Sequence, residues 1–324
     1  MPNHGFYCNT DYYNKPPSKS DKSLIRQIKL EESKKKSLTK YRFIRNLPLY
    51  DIPIVFHIIY HEDIEKIKKS QILKQFDSLN KDFRNKNIDN VLFSKFPKEK
   101  ALATDSKLNF IFPKNDPSGN PTDGITFTHT SNEFFESFTE SGSYSLEEQP
   151  VKSTESGGHD AWNTAKYLNV WVCKLSSPGG YAQYPRKNRY GDLVSTDGVV
   201  IDYRYFGMGK TTQPGRDKGK TLTHEVGHWL GLYHLWGPSD SPECEADELC
   251  DYTGDEICDT PPQIGAQCGS PIGYSSEQKC PGCPDPIALN FMDGWDDEYA
   301  LMFTRDQVAR MRGYLEKLRP TIIS

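Results

Sequence analysis

The chain has 324 residues, 35% of them hydrophobic and 26% charged, and a net charge of −4. That length allows one large domain or two smaller ones around a sizeable core. No run approaches the roughly eighteen apolar residues of a membrane-spanning helix, so none is expected. The chain opens "MPNHGFYCNT" without a basic-then-apolar leader: either it is cytosolic, or a secretion signal has been removed.

Residues 1–46 hold eleven Lys/Arg and four Asp/Glu, net +7, which leaves −11 on the remainder. A basic arm on an acidic body suggests pairing between the two. A solvated tail is the alternative. Nucleic-acid binding is not expected, because the arm's aromatics are not interleaved as a stacking surface needs. "SLIRQIKLEESKKK" (23–36) reads as a short helix.

Next comes "DIPIVFHIIY" (51–60), a β-branched and aromatic run that reads as a buried strand. In 70–87, Ile72, Phe76, Leu79 and Phe83 recur at helical spacing. "KLNFIFPK" (107–114) is a strand, followed by the turn-rich "NDPSGNPTDG". "YLNVWVCKL" (167–175), with Cys173 buried, and "GVVIDYRYFG" (198–207) are further strands. A terminal helix over 304–318 takes Thr304 as N-cap, with Val308, Met311, Leu315 and Leu318 on one face. The elements predict an α/β or α+β fold with one sheet and an irregular second half.

Three of the 8 histidines fall in "THEVGHWLGLYH" (223–234). His224 and His228, four apart, share one helix face at a spacing that lets both rings bind one ion. Glu225 makes this H-E-x-x-H, in which the Glu is general base of a zinc hydrolase. His234 lies off that face, so the helix must end first. Gly231 suits a left-handed terminus that swings His234 back to the metal. Three imidazoles leave zinc an open position, which marks a catalytic rather than a structural site. Such an ion lowers the pKa of its water to about 7, and Glu225 takes the proton as that water attacks a carbonyl. A helix with merely buried histidines is the alternative reading.

Cysteines cluster as well. Cys244, Cys250, Cys258, Cys268, Cys280 and Cys283 fall within forty residues, and Cys8 and Cys173 stand apart. The cluster suggests disulfides and an oxidising compartment, with a structural zinc at "CPGC" as the competitor.

The extended motif H-E-x-x-H-x-x-G-x-x-H is that of the metzincins. With "IPIVFHIIY", "DFRNKN", "TDGITFTHT", "GYAQYP", "GDEICDTPPQ" and "NFMDGWDDEYALMFTRDQVARM" in that order, residues 50–320 resemble the pappalysin family, in particular its small secreted microbial members. The resemblance implies a secreted, monomeric zinc endopeptidase acting on proteins or peptides, and no membrane. It implies a metzincin-like domain with a twisted, mostly parallel five-stranded sheet and an active-site helix in 47–234. A lower, irregular part with a Met-turn at Met292 and a terminal helix would occupy 235–324. Asp297 matches the acid that gives the family its preference for cutting before Arg or Lys, a pairing that suits a carboxylate. "GDEICDTPP" (254–262) matches a structural calcium loop, with Asp255, Ile257 (by its carbonyl), Asp259 and Thr260 as ligands.

Residues 1–46 would be an inhibitory propeptide whose Cys8 takes the fourth zinc position, a cysteine switch. A disulfide to Cys173 or a free thiol are the other readings of Cys8. Removal would follow cleavage within 34–46. Two positions depart from the family. Gly294 stands where many members have an oxyanion-binding Tyr, which leaves a catalytically weak or silent metzincin-fold binding protein as the alternative function. Tyr299 replaces a disulfide Cys, leaving Cys268 to pair elsewhere, with Cys283 as candidate.

Overall fold

A computed structural model describes residues 8, 10, 47–87, 90–136, 149–177, 179–185, 194–237, 254–273, 279–280 and 283–323. The helix expected at 23–36, the cleavage region 34–46, Cys244 and Cys250 lie outside the described residues.

The apolar run becomes β1 (Tyr50–Tyr60), buried from Ile54 to Ile59. It is followed by α1 (Lys69–Phe83) and two six-residue helices, α2 (Asn90–Lys95) and α3 (Pro97–Leu102). The start of β1 pairs with β2 (Leu108–Ile111), its end with β3 (Ile125–His129), and its middle with β4 (Leu168–Cys173), all in parallel. β5 (Gly180–Ala182) is antiparallel to β6 (Val199–Asp202), which runs parallel to β4. The order is β2-β1-β4-β6-β5, with β3 also on β1. The sheet is mostly parallel, as expected, but has six strands rather than five. Eleven residues of β1 are long enough to hold two short partners, one at each end.

The period of two along the strands decides what each face meets. Ile52, Ile54, Phe56 and Ile58, with Val170, Val172 and Ile201, pack on the side of α1 and the active-site helix. Ile59, Trp171, Cys173 and Val200 face a smaller core with Phe135, Val151 and Leu175. Both faces are covered, which is why these strands read as unbroken apolar runs.

Several boundaries move for local reasons. α1 stops short of residue 87 because Asn85 takes a left-handed φ of 49°. β6 ends at Asp202, whose side chain accepts from the Arg204 N–H and starts a 3-10 turn at Tyr203. The terminal helix α5 (Arg305–Leu318) forms as predicted. Thr304 caps it, and Gln307 completes a reciprocal capping box.

Cys173 is a buried thiol, so it has no bond to Cys8. The expected Cys268–Cys283 disulfide is not formed. Cys268 sits instead on β7 (Cys268–Gly269), where parallel pairing holds it beside Gly294 of β8 (Gly294–Trp295). Among the described residues, no helix is long and apolar enough to cross a membrane.

Candidate active site

The active-site helix, here α4 (Lys220–Trp229), begins at Gly219 in a left-handed conformation. In place of a side chain at its N-cap, a distant carboxylate receives its first amides. Asp297 Oδ2 accepts from Lys218 N at 2.8 Å and Lys220 N at 3.1 Å. A negative charge is favoured at that end of a helix. The other end closes as a Schellman motif. Gly231, at φ 90°, donates to the His228 carbonyl at 2.8 Å, and Leu232 donates to the Gly227 carbonyl at 3.0 Å. This turn brings His234 back against the other two histidines.

The rings of His224, His228 and His234 are buried, and their Nε2 atoms stand 3.0, 3.1 and 3.2 Å apart. His224 Nδ1 lies 2.6 Å from the Phe291 carbonyl and His228 Nδ1 2.8 Å from that of Leu232. Each carbonyl requires an Nδ1–H donor, which leaves the Nε2 lone pairs facing inward. Burial holds His224 well below the usual imidazole pKa, so it is neutral, as a ligand must be. A tetrahedral ion with metal–nitrogen bonds of about 2.0–2.1 Å needs nitrogens about 3.3–3.4 Å apart. The trio comes within about 0.3 Å of that spacing. The residues therefore fit zinc. Trp236 stacks on the His234 ring at 4.3 Å.

Cys8 completes the set. Its Sγ is 3.4 Å from His228 Nε2, and the four donor atoms lie within 4.8 Å of one another. Among the described residues this is the one group of three or more His, Cys, Asp or Glu gathered closely enough to hold a metal. Cys8 bridges to Gly180 of β5 in parallel. Glu225, fully buried, faces the same strand: a Cβ on Gly180 would lie 3.0 Å from Glu225 Cγ.

Met292, the residue expected at the Met-turn, packs against α4 at Gly227. Its Sδ approaches so closely that a Cβ on Gly227 would be 2.5 Å away. The turn that carries it is held by Asn290, whose Oδ1 accepts from Met292 N.

Beside the histidines, Arg216, Lys220, Asp293, Trp295 and Asp297 line a cleft. Asp297 Oδ1 is buried without a hydrogen-bond partner, and burial raises this carboxyl. Asp293 is pushed up to about 7 by burial, and its Oδ1 accepts from Gln267 and Gly294. Arg216 donates to the carbonyls of Gly294 and Trp295. Sequence reasoning found Asp297 but neither Arg216 nor Lys220, which no motif marks.

The expected calcium residues are only partly brought together. Asp255 Oδ1 accepts from Ile257 N and Thr260 Oγ1, and Thr260 Oγ1 lies 2.9 Å from the Ile257 carbonyl. Asp255 Oδ2 is buried without a partner, and burial pushes the carboxyl up to about 8. Asp259 is committed elsewhere. Its oxygens accept from Thr304 Oγ1 and Asp306 N at the start of α5.

Residues 153–316 match the Peptidase M43 family, described as pregnancy-associated plasma protein-A. Mature mirolysin from Tannerella forsythia, in complex with a cleaved peptide, is 37% identical with a TM-score of 0.73, over 86% of this chain and 96% of that one. A promirolysin mutant from the same organism is 31% identical with a TM-score of 0.72, over 98% and 97%. Extracellular metalloproteases of two fungi are also similar. That of Verticillium alfalfae is 38% identical over 157 residues, 47% of this chain and 50% of its own. Extracellular metalloprotease 1 of Coccidioides posadasii is 41% identical over 175 residues, 52% and 54%. The chain spans about half the length of these curated relatives. By this match over half of its length and by the 37% identity to mirolysin, the chain belongs to the Peptidase M43, or pappalysin, family of metzincins.

Proposed function

We propose that this chain is a secreted zinc endopeptidase in its latent form. The observation that carries the reading is the convergence of three Nε2 atoms 3.0–3.2 Å apart beside a buried Glu225 in an open cleft. Zinc at the three histidines would supply the Lewis acid that activates water and polarises a peptide carbonyl. Glu225 takes the attacking water's proton and delivers it to the leaving amine. The names of the relatives, extracellular metalloproteases and a mirolysin with a cleaved peptide, support secretion and peptide substrates.

Asp297 gives the cleft a preference for Arg or Lys on the leaving side. Its unpartnered Oδ1 supports this, since a buried carboxylate oxygen without a donor favours a cation. Calcium binds at Asp255, the Ile257 carbonyl and Thr260, while Asp259, the fourth residue expected there, accepts from Thr304 and Asp306. Asp255 Oδ2 supports it for the same reason, and the loop offers the hard oxygens calcium takes. Cys258 and Cys280 are disulfide-bonded, which suits an oxidising compartment.

Residues 1–46 are an inhibitory segment whose Cys8 thiolate takes the fourth place at the metal. Residues 47–234 and 235–324 are the two halves of a monomeric catalytic domain. The promirolysin neighbour supports a pro-form. A weak or silent binding protein is the second reading, favoured by Gly294, which has no side chain to bind an oxyanion. Losing one such donor costs roughly 10²–10³ in turnover, a slower enzyme rather than none.

The test is to incubate the full chain with zinc, calcium and a Lys/Arg-containing peptide. Cuts on the N-terminal side of those residues, stopped by a chelator and absent in Glu225→Gln, are expected. A Glu225→Gln chain as active as the wild type would overturn the reading.

A further inference from the structure

Among the described residues, the basic arm reaches the candidate catalytic centre at Cys8 and Thr10. Cys8 lies against the histidines. Thr10, two residues on, is fully buried, and its hydroxyl donates to Glu225 Oε2 at 2.7 Å. Thr10 Oγ1 also accepts from the Ala182 N–H of β5 at 2.9 Å. Thr10 N in turn points to Cys8 Sγ at 3.5 Å. We propose that Thr10 is a second latch of the arm, one that occupies Glu225 and the edge of β5 independently of the contact between Cys8 and the histidines.

The chemistry assigns different work to the two residues. Cys8 acts on the metal-ligand side, so its hold depends on the ion. Thr10 acts on the base. A proton acceptor that already receives a short, charge-assisted hydrogen bond is not free to take another proton in that direction. The parallel bridge between Cys8 and Gly180 holds the arm at β5, and the contact of Thr10 N with Cys8 Sγ keeps the two residues side by side. One hydroxyl can donate once and accept at its lone pairs, so Ser or Thr satisfies both Glu225 and Ala182. Val matches the shape of Thr but removes both hydrogen bonds. Thr10 does not need the metal, so its hold should survive a chelator.

The proposal rests on the reading of residues 1–46 as an inhibitory segment, and the test separates the two. The full chain and its Thr10→Val, Thr10→Ser and Cys8→Ala variants are made. In the first three, a brief pulse of iodoacetamide followed by mass spectrometry reads the alkylation rate of Cys8, with zinc and after chelation. Thr10→Val should raise that rate by about tenfold to a hundredfold in both states, the range expected for a lost hydrogen bond to a charged group, and Thr10→Ser should stay near wild type. Equal rates in wild type and Thr10→Val would overturn the latch. With zinc, Thr10→Val and Cys8→Ala should each shed the arm faster than wild type. If no variant cuts itself or any peptide, the peptidase reading fails, while the thiol rates in chelated chains still decide the latch.

Discussion

Asn290 and Gln307 exchange their side-chain amides. Asn290 Nδ2 donates to Gln307 Oε1 at 2.9 Å, and Gln307 Nε2 donates to Asn290 Oδ1 at 3.1 Å. Each is also tied to a backbone amide: Asn290 Oδ1 accepts from Met292 N, and Gln307 Oε1 from Thr304 N. One fully buried amide pair therefore joins the Met-turn to the capping box of α5. Gln307→Ala should destabilise the full chain by about 2–4 kcal/mol, because it strands buried groups on Asn290 and removes the acceptor of Thr304 N from the capping box. The denaturant midpoint reads it, and an unchanged midpoint would show that the pair carries no weight.

Gly227 and Met292 join α4 to the turn at 290–293. A Cβ at residue 227 would stand 2.5 Å from Met292 Sδ, so Gly227→Ala must push the turn away from the helix. Overpacking of this kind costs about 1–3 kcal/mol. Zinc affinity should fall as well, since Phe291, the neighbour of Met292, holds His224 Nδ1. The double variant Gly227→Ala, Met292→Ala should recover part of both losses. Losses that simply add in the double variant would place the strain elsewhere.

Lys152 gives a pH signature in the smaller core. It is buried, its Nζ donates to the Thr196 carbonyl at 2.7 Å, and it lies over the rings of Trp171 and Tyr181. Burial lowers its pKa to about 7, with Asp197 opposing the shift. A folded-state pKa below the unfolded value of about 10.5 means that the unfolded chain binds more protons between pH 7 and 10. This residue's contribution to stability is therefore present at high pH and lost as pH falls toward 7. Lys152→Met should be more favourable relative to wild type at pH 6–7 than at pH 10. Unfolding curves at the two values check this, and a stability difference independent of pH would contradict it.

Asp297 holds both the start of α4 and the cleft. Asp297→Asn keeps an acceptor for Lys218 N and Lys220 N but removes the charge. The kcat/KM for peptides with Lys or Arg on the leaving side should fall about tenfold to a hundredfold relative to the Ala peptide, the range for a lost charge-assisted hydrogen bond. The Lys/Ala ratio is the measurement, and a ratio equal to that of wild type would remove Asp297 from specificity.

Much of the site was legible because its geometry is local. His224, Glu225 and His228 lie on one helix, and Gly231 ends it by a rule that needs only its own neighbours. Met292 and Asp297 came through family resemblance, since no spacing rule connects them to residue 228. Arg319 was not legible at all. It is fully buried, pairs with Asp197 at 2.7 Å across 122 residues, and lies over the ring of Trp229, which also donates to Asp197. A charged residue after a terminal helix reads as surface until its partner is known. β5 was missed as well, because three residues show no period, yet it is the strand beside Glu225.

The amino-acid order alone marked the candidate metal ligands, the candidate base, the apolar strands and the capped terminal helix, because helix and strand periods fix which side chains within one element share a face. The tertiary structure decided what those groups meet. It set Asp297 at the start of α4, Gln307 on the Met-turn, Asp259 on the start of α5 rather than with Asp255, and Thr10 on Glu225. Each of these joins residues far apart in the chain, and a contact of that kind depends on how whole elements pack.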